Sequence, residues 1–140
     1  MIISLIIQIL PWFYIGSCTS GSDQNMLKKL GVKTIVNVHQ HYDPKIDTVE
    51  QFHFTLIDGA ENDWKTIIHI LEIVHEQKKI GNILVHCCAG MSRSPFIAVS
   101  YLSEKEGLDV DKALQIVAEK QPYISVHPGL MELLRKNSER

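Results

Sequence analysis

The chain has 140 residues, 45% of them apolar and 21% charged, with 14 basic against 16 acidic side chains and a formal net charge of −2. One domain of this size buries roughly 68–70% of the surface its unfolded chain exposes, so it holds a core without disulfides or a structural metal. The composition excludes disordered, collagen-like and coiled-coil chains, and the absence of a dense Lys/Arg run removes the electrostatic footprint of a nucleic-acid binder. The three cysteines, Cys18, Cys87 and Cys88, are odd in number and two are adjacent, a pattern that suits reduced thiols in the cytoplasm better than a secreted disulfide framework.

The first 22 residues carry no charged side chain. The apolar run from Met1 to Leu10 lacks the basic start and small-residue cleavage site of a signal peptide. Gln8, Pro11 and Gly16 interrupt it short of the roughly 20 apolar residues of a spanning helix, so no membrane association is expected. A buried strand or strand pair rich in Ile is expected instead, running through Trp12–Ile15 to a turn at Gly16-Ser17. Ser22 is placed to cap a short helix carrying Met26, Leu27 and Leu30, which Gly31 stops. Val32–Val38 reads as a strand, 39–45 as a loop, and the alternation of Phe52, Phe54 and Leu56 as a second strand ended by Asp58-Gly59.

From Trp64 to Lys79 the apolar positions 64, 67, 68, 71 and 74 recur at helical spacing, with Gly81 as the stop, and Asn82–His86 is a short buried strand. Pro95 suits a first helical position, Gly107 a stop, Asp109 a cap for a helix ended by Pro122, and Pro128 the opening of a last helix through Leu133-Leu134. The pattern predicts an α/β fold over residues 1–140: a single domain with a central, mostly parallel twisted sheet flanked by helices. No internal repeat or linker interrupts it.

The chemistry concentrates in Val85-His86-Cys87-Cys88-Ala89-Gly90-Met91-Ser92-Arg93-Ser94-Pro95, a buried strand passing through a short loop into a helix start. Of the five residues between Cys87 and Arg93, three are small. Successive backbone N–H groups of Cys88, Ala89, Gly90, Met91 and Ser92 can therefore turn inward, while the following helix aims its positive end at the same point. A tetrahedral dianion suits such a cradle, and the same field favours a thiolate at Cys87, an in-line nucleophile for a phosphate held above it. Arg93 supplies a planar fork for two phosphate oxygens. Ser94 is placed to donate to the Cys87 sulfur as it leaves, and His86 to orient the loop.

The pattern His86-Cys87-x-Ala89-Gly90-x-Ser92-Arg93-Ser94 resembles the signature loop of the dual-specificity protein phosphatases, within the cysteine-dependent protein tyrosine phosphatase superfamily. The resemblance spans nearly the whole chain: Ile9–Ser17 is similar to the family's opening strand and turn, Leu27–Val32 to its first helix and second strand, and Tyr101-Leu102 to its helix after the loop. It implies a protein tyrosine phosphatase-like fold and hydrolysis of phosphotyrosine and phosphoserine/phosphothreonine in proteins through a phosphocysteine intermediate, with no cofactor and no metal. No amino-terminal docking segment is recognised, so the resemblance is to the small, atypical members. Departures fall near the end, where Lys120-Gln121 precedes Pro122 in place of a frequent Arg, His127 replaces an Asn and Leu133 a Gln.

In that family an aspartate on a loop before the long helix is the general acid, and Asp58 stands 29 residues before Cys87 where this loop belongs. Asp63 and Glu61 are its rivals. Asp58 is preferred for its spacing and Asp-Gly turn, while Asp63 is suited to capping the helix at Trp64. Cys88 is read as inertly packed rather than as a redox partner, since adjacent cysteines form strained disulfides, and Cys18 reaches the loop only if the fold brings it there. His39, His41 and His53 match no zinc spacing. Tyr42, Tyr123 and the 39–49 loop are candidates for the mouth of the site.

Two other classes compete: a phosphate-binding module that captures phosphoproteins without turnover, and a rhodanese-type sulfurtransferase. The intact Cys87–Arg93 pair argues against the first, and the Ser-Arg-Ser-Pro exit with three helical segments after it argues against the second. Oligomeric state is not encoded in any motif.

Overall fold

The strand that leads into the reactive loop lies in the middle of the sheet and is paired on both sides. The computed structural model describes residues 5–88 and 91–138. Strands β1 (Ile6–Leu10) and β2 (Phe13–Gly16) form an antiparallel hairpin, and α1 (Gln24–Lys29) leads to β3 (Val32–Asn37) and β4 (Glu50–His53). Helix α2 (Trp64–Gln77) then precedes β5 (Asn82–His86), and α3 (Arg93–Glu104), α4 (Val110–Lys120) and α5 (Pro128–Ser138) complete the chain. The five-stranded sheet has the order β1-β2-β5-β3-β4, parallel throughout except at β1.

Period-two alternation assigns the faces. Phe13, Ile15, Val36, Ile83 and Val85 enter the larger core, into which α2, α3, α4 and α5 send Leu71, Val74, Phe96, Ile97, Val117 and Leu130. Their alternate neighbours Tyr14, Ile35 and Leu84 face a smaller core closed by Leu27 of α1 and by Ile46. Each such aliphatic side chain, removed from water, contributes about 1.5–3 kcal/mol. Tyr101 of α3 stands edge-on to Trp12 and Phe13 at 5.3 and 5.6 Å and its hydroxyl meets His75 Nδ1 at 3.0 Å, joining α3 to β2 and α2. Burial, and then Glu106, push its phenol up to about 12.

The two crossovers place the site. The β2–β3 connection packs α1 on the smaller core and leaves a gap that β5 fills, while the β4–β5 connection packs α2 on the other face. Where connections diverge to opposite faces, the carboxyl ends of parallel strands open onto a crevice, and β5 ends there at His86.

Several local expectations shift. Asp23, not Ser22, caps α1 by accepting from Met26 N at 3.2 Å, because the Ser22 hydroxyl donates to Thr19 O. Regular strand β4 covers 50–53 rather than 52–56. The ladder nevertheless continues beyond it, with Phe54 N donating to Asn37 O and Leu56 N to Val38 O. Helix α3 starts at Arg93, and Pro95 sits within its first turn, where no backbone donor is needed. Gly81 does not stop α2, which ends at Gln77. It instead permits close approach, since a Cβ there would stand 2.4 Å from Lys33 Cγ. Gly31 and Gly107 have the left-handed φ of +69° and +75° expected of helix stops. No helix among the described residues is long and apolar enough to cross a membrane, and residues 6–10 of the uncharged run form strand β1.

Candidate active site

Strand β5 delivers two buried side chains to the crevice. His86 is 1% exposed, and its Nε2 meets Asp43 Oδ2 at 2.7 Å. Gly21 makes room for this pair, because a Cβ there would lie 2.4 Å from His86 Nε2 and 2.7 Å from Asp43 Oδ1. The imidazole is thus clamped across 43 residues of sequence to the loop after β3. Cys87, next along, donates its backbone N–H to Gly16 O at 3.2 Å. Its sulfur lies 3.3 Å from Ser94 Oγ, which is also 3.3 Å from Gly16 O. One hydroxyl proton is therefore shared between a carbonyl and the sulfur, and a negative charge on sulfur draws it over.

Arg93 opens α3 and is half-buried, with Nη1 donating to Leu56 O at 3.2 Å. That bond ties the guanidinium to the loop two residues before Asp58. The Asp58 carboxylate is exposed and accepts from Ser92 Oγ at 2.5 Å, and the same Ser92 oxygen accepts from His127 N at 2.9 Å. Ser125 N donates to Met91 O at 2.7 Å, so the segment between α4 and α5 braces the reactive loop from the outside. Asp58, Cys87, Cys88, Met91, Ser92, Arg93 and Ser125 together line a hollow of about 270 Å³. A larger one of about 410 Å³, between α1 and the 46–49 segment, shares no residue with it and is lined by no carboxylate, thiol or imidazole.

Of the acidic rivals, Asp63 caps α2 by accepting from Lys65 N at 3.0 Å, and neither it nor Glu61 lines the hollow. Ala89 and Gly90 lie outside the described residues. The reading of Cys88 as a packed thiol is corrected, because it is exposed on the rim. Partial desolvation, then the adjacent Cys18, push its thiol up, which keeps it protonated. The fold does bring Cys18 to the loop, its backbone N–H donating to Cys88 O at 3.0 Å. His39, His41 and His53 serve the loop beside the site: His53 Nε2 meets His39 O, and His41 N donates to His39 Nδ1. Tyr42 stacks edge-on against His53, and Tyr42 and Tyr123 are both strongly exposed.

Two contributors escape sequence reasoning. Asp43 and Asn62 carry no motif: the partner of Asp43 lies at a separation that only the folded chain closes, and the contacts of Asn62 are local but follow no recognised spacing. His127, noted as a departure from the family pattern, donates its backbone N–H to Ser92 Oγ.

His39 is 6% exposed, and burial, followed by the Arg93 guanidinium and the surrounding imidazoles, lowers it from 6.5. A lowered native value means that the unfolded chain takes up the proton first, so stability is lost as pH falls from 6.5 through the native value. His39→Gln is expected to flatten the fall in melting temperature over that interval. Unchanged pH dependence in the variant would contradict this.

Comparison with known proteins agrees with the geometry. The family model described as dual specificity phosphatase, catalytic domain, matches residues 13–140. Dual specificity protein phosphatase 4 of Gallus gallus is 32% identical over an alignment of 143 positions, covering 95% of this chain and 36% of the relative. Dual specificity protein phosphatase 19 of Mus musculus is 33% identical over 132, covering 91% and 59%. The chain thus spans between about a third and three-fifths of the length of these curated relatives. The crystal structure of human DUSP28 superposes with a TM-score of 0.87 at 25% identity, covering 95% of this chain and 92% of that one. The chain belongs to the dual specificity phosphatase catalytic domain family.

Proposed function

We propose that the protein hydrolyses phosphomonoesters on phosphotyrosine and phosphoserine/phosphothreonine residues of proteins through a phosphocysteine intermediate. The observation that carries this reading is the buried Cys87 sulfur 3.3 Å from Ser94 Oγ, in a hollow also lined by Arg93 and Asp58. In the first step the Cys87 thiolate attacks phosphorus and forms the S–P bond as the P–O bond to the side chain breaks. The Asp58 proton passes to the departing oxygen. In the second, water attacks phosphorus, Asp58 takes its proton, and the S–P bond breaks to inorganic phosphate and a thiolate that the Ser94 hydroxyl supports.

Arg93 holds two phosphoryl oxygens and follows them as charge spreads, while the backbone of Cys88, Ala89, Gly90, Met91 and Ser92 supplies the remaining donors. His86, fixed by Asp43, sets the loop's orientation. Both steps balance with these groups and one water, so the mechanism calls for no metal and no cofactor.

Residues 1–140 are read as one catalytic domain, since β1, which lies wholly before the family match, pairs within the same sheet. A nucleophilic thiol works only when reduced, and the exposed thiols of Cys18 and Cys88 are free, which supports a cytoplasmic setting.

Asp58→Ala tests the acid. It is expected to lower kcat/KM by about 10²-fold or more for leaving groups as poor as tyrosine, and progressively less as the leaving phenol becomes more acidic. A loss independent of the leaving group, or a larger one in Asp63→Ala, would remove Asp58 from the role.

A further inference from the structure

The segment between Ile57 and Asn62 has no regular secondary structure, and the Asp58 carboxylate on it is exposed. An unsupported loop would let that group wander, and a displacement of about 1 Å at a reacting group costs on the order of 10² in rate. The Asn62 side chain prevents this from within the loop. Its Oδ1 accepts from Ile57 N at 2.9 Å, and its Nδ2 donates to Ile57 O at 2.8 Å and to Gly59 O at 2.9 Å. The residues on both sides of Asp58 are thereby bonded to one amide. The pattern requires an acceptor and two donors on one planar group, and reversing the amide would set Nδ2 against the Ile57 N–H.

The loop is also held from outside. Gly129, in the first turn of α5, lies so close that a Cβ would stand 2.5 Å from Ala60 N and 3.0 Å from the Gly59 carbonyl carbon.

We propose that Asn62 is a positioning residue for the proton donor: its amide, with Gly129 packed against Gly59 and Ala60, holds Asp58 over the Cys87 hollow before substrate arrives. This rests on the reading of Asp58 as general acid.

The test measures kcat/KM along a series of aryl phosphates of increasing leaving-group pKa for wild type, Asn62→Ala, Asp58→Ala and the double variant, with melting temperatures recorded. Asn62→Ala is expected to lose about ten- to a hundredfold at the phosphotyrosine-like end, less toward activated phenols, and little more once Asp58 is absent. A loss uniform along the series, or one that multiplies fully with that of Asp58→Ala, overturns the proposal, because a merely structural defect ignores the leaving group. Should Asn62→Ala not fold, Gly129→Ala decides: the same leaving-group dependence supports the proposal, and a uniform or absent loss overturns it. If Asp58→Ala itself shows no leaving-group dependence, the general-acid reading falls and takes this one with it. If Asp58→Ala is selective and Asn62→Ala is not, Asn62 alone loses its role.

Discussion

Cys87→Ser is expected to lower hydrolysis of para-nitrophenyl phosphate by about 10⁴-fold or more while tungstate still binds. The hydroxyl occupies nearly the same space beside Ser94 Oγ, so the buried site keeps its shape. What is lost is the nucleophile, because a serine hydroxyl is a far weaker nucleophile than a cysteine sulfur, and its side-chain hydrogen-bond partner here, the Ser94 hydroxyl, is not a base. The anion-binding donors of the proposed mechanism, the loop amides and the Arg93 fork, do not depend on sulfur and are expected to remain. Turnover by single-enzyme kinetics and tungstate affinity by calorimetry separate the two effects. A variant that keeps most of its activity would show that Cys87 does not attack phosphorus, and loss of both turnover and tungstate binding in a folded variant would show that the thiol shapes the cradle.

Arg93→Lys is expected to weaken tungstate binding and to lower kcat/KM by about 10³-fold, although the charge is conserved. The guanidinium here does two things at once. One nitrogen donates to Leu56 O at 3.2 Å, which fixes the plane of the group, and the remaining fork is left to face the hollow. A lysine ammonium is a point donor on a flexible stem. It cannot hold the Leu56 carbonyl and two phosphoryl oxygens together, and its separation from that carbonyl also frees the chain leading to Asp58. Near-normal kinetics in Arg93→Lys would reduce the residue to a generic positive charge.

The site was legible in the sequence where its parts are contiguous. A buried strand, Cys87, small residues, Arg93 and a helix start fall within one short stretch, and its described residues from Cys87 to Arg93 line one hollow. The parallel sheet was legible for a similar reason, since Ile35, Val36, Leu84 and Val85 feed cores on both faces and give continuous apolar runs. Helix stops at Gly31 and Gly107 followed from backbone sterics.

Legibility failed where a side chain had competing partners. Ser22 and Asp23 both suit a cap, and the choice turned on Thr19 O, which captured the serine. Gly81 looked like a helix stop because its packing role against Lys33 exists only after β3 pairs with β5, whose first residue it precedes. Asp43 is an ordinary loop aspartate until the fold sets it on His86, and no spacing announces a partner 43 residues away. Cys88 reads as packed because a disulfide to its neighbour would be strained, yet the fold leaves it exposed on the rim beside Cys18.

The central claim is that a covalent bond forms between Cys87 and the transferred phosphoryl group. The most direct measurement is rapid denaturing quench at alkaline pH during turnover of a radiolabelled phosphotyrosine peptide by reduced enzyme, followed by mapping of the label without acid. The account predicts an early release of tyrosine peptide stoichiometric with enzyme and label on the peptide containing Cys87 that survives alkali but is released by mild acid or iodine, as an S–P bond requires, both absent in Cys87→Ser. Full turnover with no labelled protein at any quench time, or label on a different residue, would contradict it.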